Sequence, residues 1–200
     1  MPDHYYMADM AKDYALAIHR QWSKPVHVMG ISTGGQIGQY LAAGYPQLVH
    51  KLVIISSAFR LSQKGKEIEG RAASYFKQEK YGKAMSALME LVLTPGLKTK
   101  LIQPMVQIMG NIACKNLPFP QDFLLEVRAD REMDFSQGLK DIKAPTLVLG
   151  GDKDIAYSLP DIKTTAENIA NSKLIIYKGH GHGLPMANSV QIQKDIYEFL

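Results

Sequence analysis

The sequence predicts an α/β fold: a mostly parallel sheet of about four strands with flanking helices and a helical insertion. Three observations predict it. Short runs of β-branched and other apolar residues recur at Val26–Met29, Lys51–Ser56, Thr146–Gly151 and Lys173–Tyr177, as expected for strands buried on both faces. Segments of helical periodicity alternate with them. The first strand, the helix after it and the second strand fit within about thirty residues, which is a parallel unit with a right-handed crossover.

In chain order, Tyr6 to Trp22 suits an amphipathic helix whose apolar side is Met7, Met10, Ala11, Tyr14, Leu16, Ala17 and Ile18. Ser23 to Pro25 break it before the first strand. The helix after Ser32 runs to about Gly44-Tyr45-Pro46, where the second strand follows. From Leu61 to Ile142 the character changes. Long helical patterns such as Ala84–Leu93 and Leu101–Ile112 are separated by Thr94-Pro95-Gly96 and Leu117-Pro118-Phe119-Pro120. Met85, Met89, Met105 and Met109 are read as core packing, with a pliable apolar wall over a substrate pocket as the second choice. The third strand, a helix over Asp161–Ala170, the fourth strand and a closing helix from Val190 to Leu200 complete the chain.

Two hundred residues can bury a substantial core in one domain. The net charge is +4, but the basic residues are scattered. The densest group, Lys64, Lys66, Lys77, Lys80 and Lys83, lacks interleaved aromatics, so it reads as a solvated face and no nucleic-acid partner is expected. The single cysteine, Cys114, excludes an internal disulfide and reads as a small packing residue. With no long apolar run and no signal-peptide pattern, the expected location is cytoplasmic, with no membrane span.

The first strand ends abruptly in Gly30-Ile31-Ser32-Thr33-Gly34-Gly35, and apolar residues at helical spacing follow. A serine on a sharp strand-to-helix turn sits in a strained backbone with its hydroxyl facing away from the sheet. Side chains at Gly30 and Gly34 are expected to collide with the neighbouring strand and helix. The helix that starts here aims free N–H groups and a partial positive charge at the site, and the N–H of Thr33 is placed for a developing oxyanion. Gly151-Asp152-Lys153-Asp154 follows the third strand and Gly179-His180-Gly181-His182-Gly183 the fourth. In a parallel sheet these strand ends share one edge, where ligands bind. Alternation does not separate His180 from His182, since residues two apart in an extended segment point the same way. His-x-His is also a possible metal-ligand pair, but no further ligand cluster accompanies it, and no metal is expected.

Over essentially its whole length the chain resembles the α/β-hydrolase superfamily, most closely a poorly characterised esterase-like branch. The resemblance rests on Gly30-Ile31-Ser32-Thr33-Gly34-Gly35, on Tyr45-Pro46, on Pro145-Thr146-Leu147-Val148-Leu149-Gly150-Gly151-Asp152-Lys153-Asp154 and on Gly181-His182-Gly183. It implies that Ser32 is the nucleophile, Asp154 the acid and His182 the base, in the chain order of that superfamily. Asp152 and His180 are the competitors; the acid of the resembled pattern lies three residues past Gly151, and the Gly-His-Gly context favours His182. Residues 1–60 and 143–200 would be the core and residues 61–142 the helical cap. The strands that usually precede the nucleophile strand, and a His-Gly loop that supplies a second oxyanion donor, have no counterpart, so the sheet corresponds to the C-terminal half of the family's. The bare first strand is an exposed edge through which copies of the chain could associate.

The expected function is a serine hydrolase, without cofactor, that cleaves an ester-type bond (carboxylic ester, lactone or related acyl group) of a small apolar substrate through an acyl-enzyme. The alternative is a weakly active or inactive member that binds a ligand or partner.

Overall fold

A computed structural model describes residues 4–93, 97–115 and 120–200. Among them the strands form one four-stranded sheet in the order β1 (Val26–Ile31), β2 (Val49–Ile55), β3 (Thr146–Gly151), β4 (Ser172–Tyr177), every neighbouring pair parallel. The sequence order and the spatial order coincide, and all C-terminal strand ends lie along one edge.

Side-chain alternation divides the strands between two cores. Val28, Leu52, Ile54, Val148 and Leu174 face α1 (Met7–Gln21), α2 (Thr33–Gly44) and, further along the chain, the helix Leu159–Glu167. Val53, Ile55, Leu147, Leu149 and Ile175 face the other way, onto the C-terminal helix Ser189–Phe199 and the short turn of helix Leu184–Ala187. That second layer leaves β1 uncovered, and its Met29 and Ile31 are exposed. In α1 the buried stripe is Met7, Ala11, Ala15 and Ile18, narrower than the sequence predicts, because Tyr14 and Leu16 face solvent.

Between β2 and β3 the chain builds α3 (Gln63–Lys77), α4 (Tyr81–Val92), α5 (Leu97–Lys115) and α6 (Pro120–Glu132). Helix α3 buries Ile68, Ala72 and Phe76 at helical spacing, with Gly65 and Glu69 on the same face. Helix α6 lacks a clean apolar stripe and carries Asp130 on its buried side. Phe76, Ala84 and Cys114 form a small core of their own, with Tyr75, Tyr81, Met85 and Phe123 against it. The separators Thr94-Pro95-Gly96 and Leu117-Pro118-Phe119 lie outside the described residues.

The methionine stripes need correction. Met85 and Met89 are half-buried, but Met105 is 56% and Met109 61% exposed. Helix α5 turns its small and polar side towards α4: Gly110 packs on Met85, and Asn111 Oδ1 accepts the Gly82 N–H. The larger apolar side chains are left outside. Helix α7 (Leu159–Glu167) links β3 to β4, and α8 (Leu184–Ala187) and α9 (Ser189–Phe199) follow β4. No described helix is long and apolar enough to cross a membrane.

Candidate active site

Strand β1 runs two residues further than its apolar run predicts, through Gly30 and Ile31, so the turn is Ser32 itself. Its φ of 54° and ψ of −126° are far from the ordinary wells of an L-residue, and such strain persists only where the surroundings over-determine it. Three constraints do so here. The Ser32 N–H is held by the Ile55 carbonyl of β2 at 3.0 Å, and the Gly35 N–H returns to the Ser32 carbonyl at 2.8 Å. A Cβ on Gly30 would lie 2.2 Å from the Gly34 carbonyl oxygen, so only glycine lets the chain fold back so closely. Gly34 is different: a Cβ there meets nothing within 4 Å. The close approach is one residue on, where a Cβ on Gly35 would fall 2.6 Å from the Cβ of Ser57. Because α2 begins at Thr33, Gly34 faces outward from the first turn, and Gly35 faces the chain leaving β2.

The turn aims the Ser32 hydroxyl at the loops after β3 and β4. Gly151, the last residue of β3, brings those loops together, since a Cβ there would lie 2.1 Å from the His180 carbonyl. The same carbonyl accepts the Lys153 N–H at 2.8 Å. Asp154 is buried. Its Oδ1 accepts the N–H groups of Ala156 and Tyr157 at 2.8 and 3.0 Å, and its Oδ2 lies 3.0 Å from His182 Nδ1. On the far side of the ring, His182 Nε2 lies 3.1 Å from Ser32 Oγ. Because an ionised carboxylate only accepts, the ring carries its proton on Nδ1 and turns the Nε2 lone pair to the serine.

Ser32, His182 and Asp154 therefore form one hydrogen-bonded line. The competitors do other things. Asp152 Oδ1 accepts the Gly179 N–H at 2.6 Å and ties the two loops together. The His180 ring turns back to the Lys178 carbonyl, 3.0 Å from Nδ1. As the first residue of α2, Thr33 has a backbone N–H that the helix leaves free, beside the serine. Among the described residues no group of three or more His, Cys, Asp or Glu side chains could hold a metal ion. Burial pushes the Cys114 thiol up, consistent with an inert packing residue.

Sequence reasoning missed the acidic residues behind the turn. Asp130 of α6 accepts the Thr33 hydroxyl at 2.9 Å, and Glu69 of α3 lies beside it. The only sequence signal was a charge placed inside otherwise helical segments. A cavity of about 950 Å³ between α3 and α6, lined by Lys66, Lys77, Arg128 and Arg131 among others, holds none of the three residues of the line.

The model of the family described as serine aminopeptidase, S33, matches residues 3–187. The human protein named monoacylglycerol lipase ABHD6 is 27% identical over 189 residues, covering 88% of this chain and 55% of the relative. The chain thus spans about half the length of the curated relatives it matches first. Among solved structures, MGS-M2, an α/β-hydrolase enzyme from a Medee basin deep-sea metagenome library, superimposes with a TM-score of 0.82 at 16% identity, over 100% of this chain and 73% of that one. The enol-lactonase from Burkholderia xenovorans LB400 gives 0.81 at 18% identity, over 98% and 73%. At these identities the structures share the fold.

Proposed function

From the premise that this chain belongs to the serine aminopeptidase S33 family of α/β hydrolases, we propose that it is a serine hydrolase acting on a small, apolar, ester-type substrate. The observation that carries the reading is the unbroken line from Ser32 Oγ through His182 to Asp154, at 3.1 and 3.0 Å. Relatives and structural neighbours named lipase and lactonase support acyl–oxygen bonds as the class cleaved.

In the reaction, Ser32 Oγ bonds to the acyl carbon as its proton passes to His182 Nε2. The negative charge that moves onto the carbonyl oxygen rests on the Thr33 N–H at the positive end of α2. Asp154 keeps the ring in its tautomer and stabilises the imidazolium. His182 then protonates the departing alcohol oxygen as the carbon–oxygen bond breaks. Water, deprotonated by the same nitrogen, repeats the cycle on the acyl-enzyme and frees the acid.

Residues 61–142 act as the cap in this reading, and residues 1–60 with 143–200 as the core. The Thr33–Asp130 hydrogen bond joins the two, as does the approach of the Val92 carbonyl to Gly183, where a Cβ would lie 2.7 Å from that oxygen. The apolar, methionine-bearing α4 fits an apolar acyl or alcohol portion.

The test is labelling with a fluorophosphonate probe alongside turnover of a p-nitrophenyl ester series. Labelling and turnover that vanish in Ser32→Ala are expected. A folded wild-type chain that neither labels nor turns over refutes the reading and leaves a ligand- or partner-binding role.

A further inference from the structure

Asp130 stands on α6, in the helical insertion, yet its carboxylate ends beside the nucleophile turn. Its Oδ2 accepts the Thr33 hydroxyl at 2.9 Å, and its Oδ1 faces the Tyr157 hydroxyl at 3.5 Å. That hydroxyl also faces Ser32, and the Tyr157 ring centroid lies 5.7 Å from that of His182. Glu69 of α3 lies against Asp130 within hydrogen-bond reach. Asp130 is 2% and Glu69 8% exposed. Two ionised carboxylates can only accept, so this contact needs a proton between them. Two adjacent negative charges away from water also repel, which keeps one of the acids neutral. Among the described residues Glu69 Oε2 is buried without a donor from a neutral or basic side chain, and the Gln36 amide lies beside the pair. A buried polar cluster of this kind is costly unless it is connected internally.

We infer that Asp130 and Glu69 form an acid pair, sharing one proton at neutral pH, that positions Thr33 and Tyr157 at the Ser32 hydroxyl. The inference rests on the serine-hydrolase reading above. Asp130 already accepts from the Thr33 and Tyr157 hydroxyls, which places the shared proton on the Glu69 side. Burial, with the Asp130 charge behind it, pushes that carboxyl up to about 9; Glu126 adds to the push and Arg131 opposes it. Burial also raises Asp130, opposed by hydrogen bonds from Thr33, Glu69, Gln36 and Tyr157, so Asp130 remains the acceptor. Glu126, itself raised by burial, and Arg131 are the charged groups of α6 that face the pair; Tyr157 faces it from the loop before α7, and Gln36 and Thr33 from α2. Held by Asp130, the Thr33 side chain fixes the peptide whose N–H receives the oxyanion. Through Asp130 the insertion thereby acts on the chemistry from behind the Ser32 turn.

The test uses the full chain, with kcat and KM on a p-nitrophenyl ester from pH 6 to pH 10. Asp130→Asn is expected to lower kcat by about tenfold, the scale of one lost charged hydrogen bond, with KM nearly unchanged. Glu69→Ala should fall similarly, and Glu69→Gln, a neutral donor of the same shape, should recover most of the loss. Wild-type kcat should decline above pH 9 as the second carboxylate forms, and Glu69→Gln should remove that decline. Asp130→Asn with wild-type kcat, or an alkaline limb unchanged in Glu69→Gln, overturns the proposal. An infrared difference spectrum of wild type against Glu69→Gln gives an activity-independent readout. A protonated-carboxyl band is expected at pH 7 and lost above pH 9, and its absence at pH 7 overturns the pair even if a variant folds poorly. A wild-type chain without turnover refutes the hydrolase reading and the positioning role with it, whereas an active wild type lacking the band refutes only the pair.

Discussion

Replacing Glu69 by Gln should stabilise the protein at alkaline pH, and the size of the effect follows from its surroundings. In the unfolded chain a glutamate titrates near pH 4.3; in the folded protein burial and Asp130 hold Glu69 up to about 9. Between those values the native state binds one proton more than the unfolded state. The slope of unfolding free energy with pH is therefore negative, about 1.4 kcal/mol lost per pH unit. The sign is that of a carboxyl whose folded value is raised: its contribution is fully present below the unfolded value and is lost as pH rises through the folded one. From pH 6 to pH 8 this group alone removes at most about 3 kcal/mol, a sizeable share of a typical domain stability of about 5–15 kcal/mol. Glutamine carries the same shape and a permanent donor but does not titrate. Urea unfolding followed by circular dichroism at pH 5, 6, 7 and 8 should give the smallest difference at pH 5 and an advantage for the variant that widens with each step above it. Parallel pH slopes for the two chains, or a variant less stable than wild type at pH 8, would refute the reasoning.

Two further outcomes separate neighbours in the sequence. Asp154→Asn should lower kcat by about 10⁴, as loss of the acid does in a comparable triad, whereas Asp152→Asn, which only loosens the tie to Gly179, should cost far less; steady-state kinetics on one ester distinguishes them. Gly30→Ala should destabilise by about 3 kcal/mol or more, because its Cβ would be driven into the Gly34 carbonyl, whereas Gly34→Ala, with open space around it, should unfold within about 1 kcal/mol of wild type in a thermal melt.

The legibility of the site varied with the reach of the interaction. Ser32 is recognisable because a strand-ending glycine, a small strained turn and a helix start are neighbours in the chain. Asp154 and His182 are recognisable only because parallel strands put their C-terminal ends on one edge, so a residue just past a strand end inherits a place near the others. Sequence spacing alone left Asp152 and His180 open. In the structure both make other short-range bonds: Asp152 to the Gly179 N–H, His180 to the Lys178 carbonyl. The expected crowding at Gly34 belongs instead to Gly35, because consecutive residues of a helix point about 100° apart and the neighbour of the chain leaving β2 is the second of the two.

Continuous apolar runs set between helical patterns, and local turn chemistry, both written into consecutive residues, determine the parallel α/β sheet, the position of the Ser32 turn and the strand ends that carry Asp154 and His182. Which face of α5 is buried, which glycine is crowded and which acids stand behind Thr33 depend on contacts between residues far apart in the chain. The Thr33–Asp130 hydrogen bond spans 97 positions, and no periodicity records it. A buried carboxyl in a helix looks, in one dimension, like any exposed one. Only packing decides whether water or another carboxyl lies beside it.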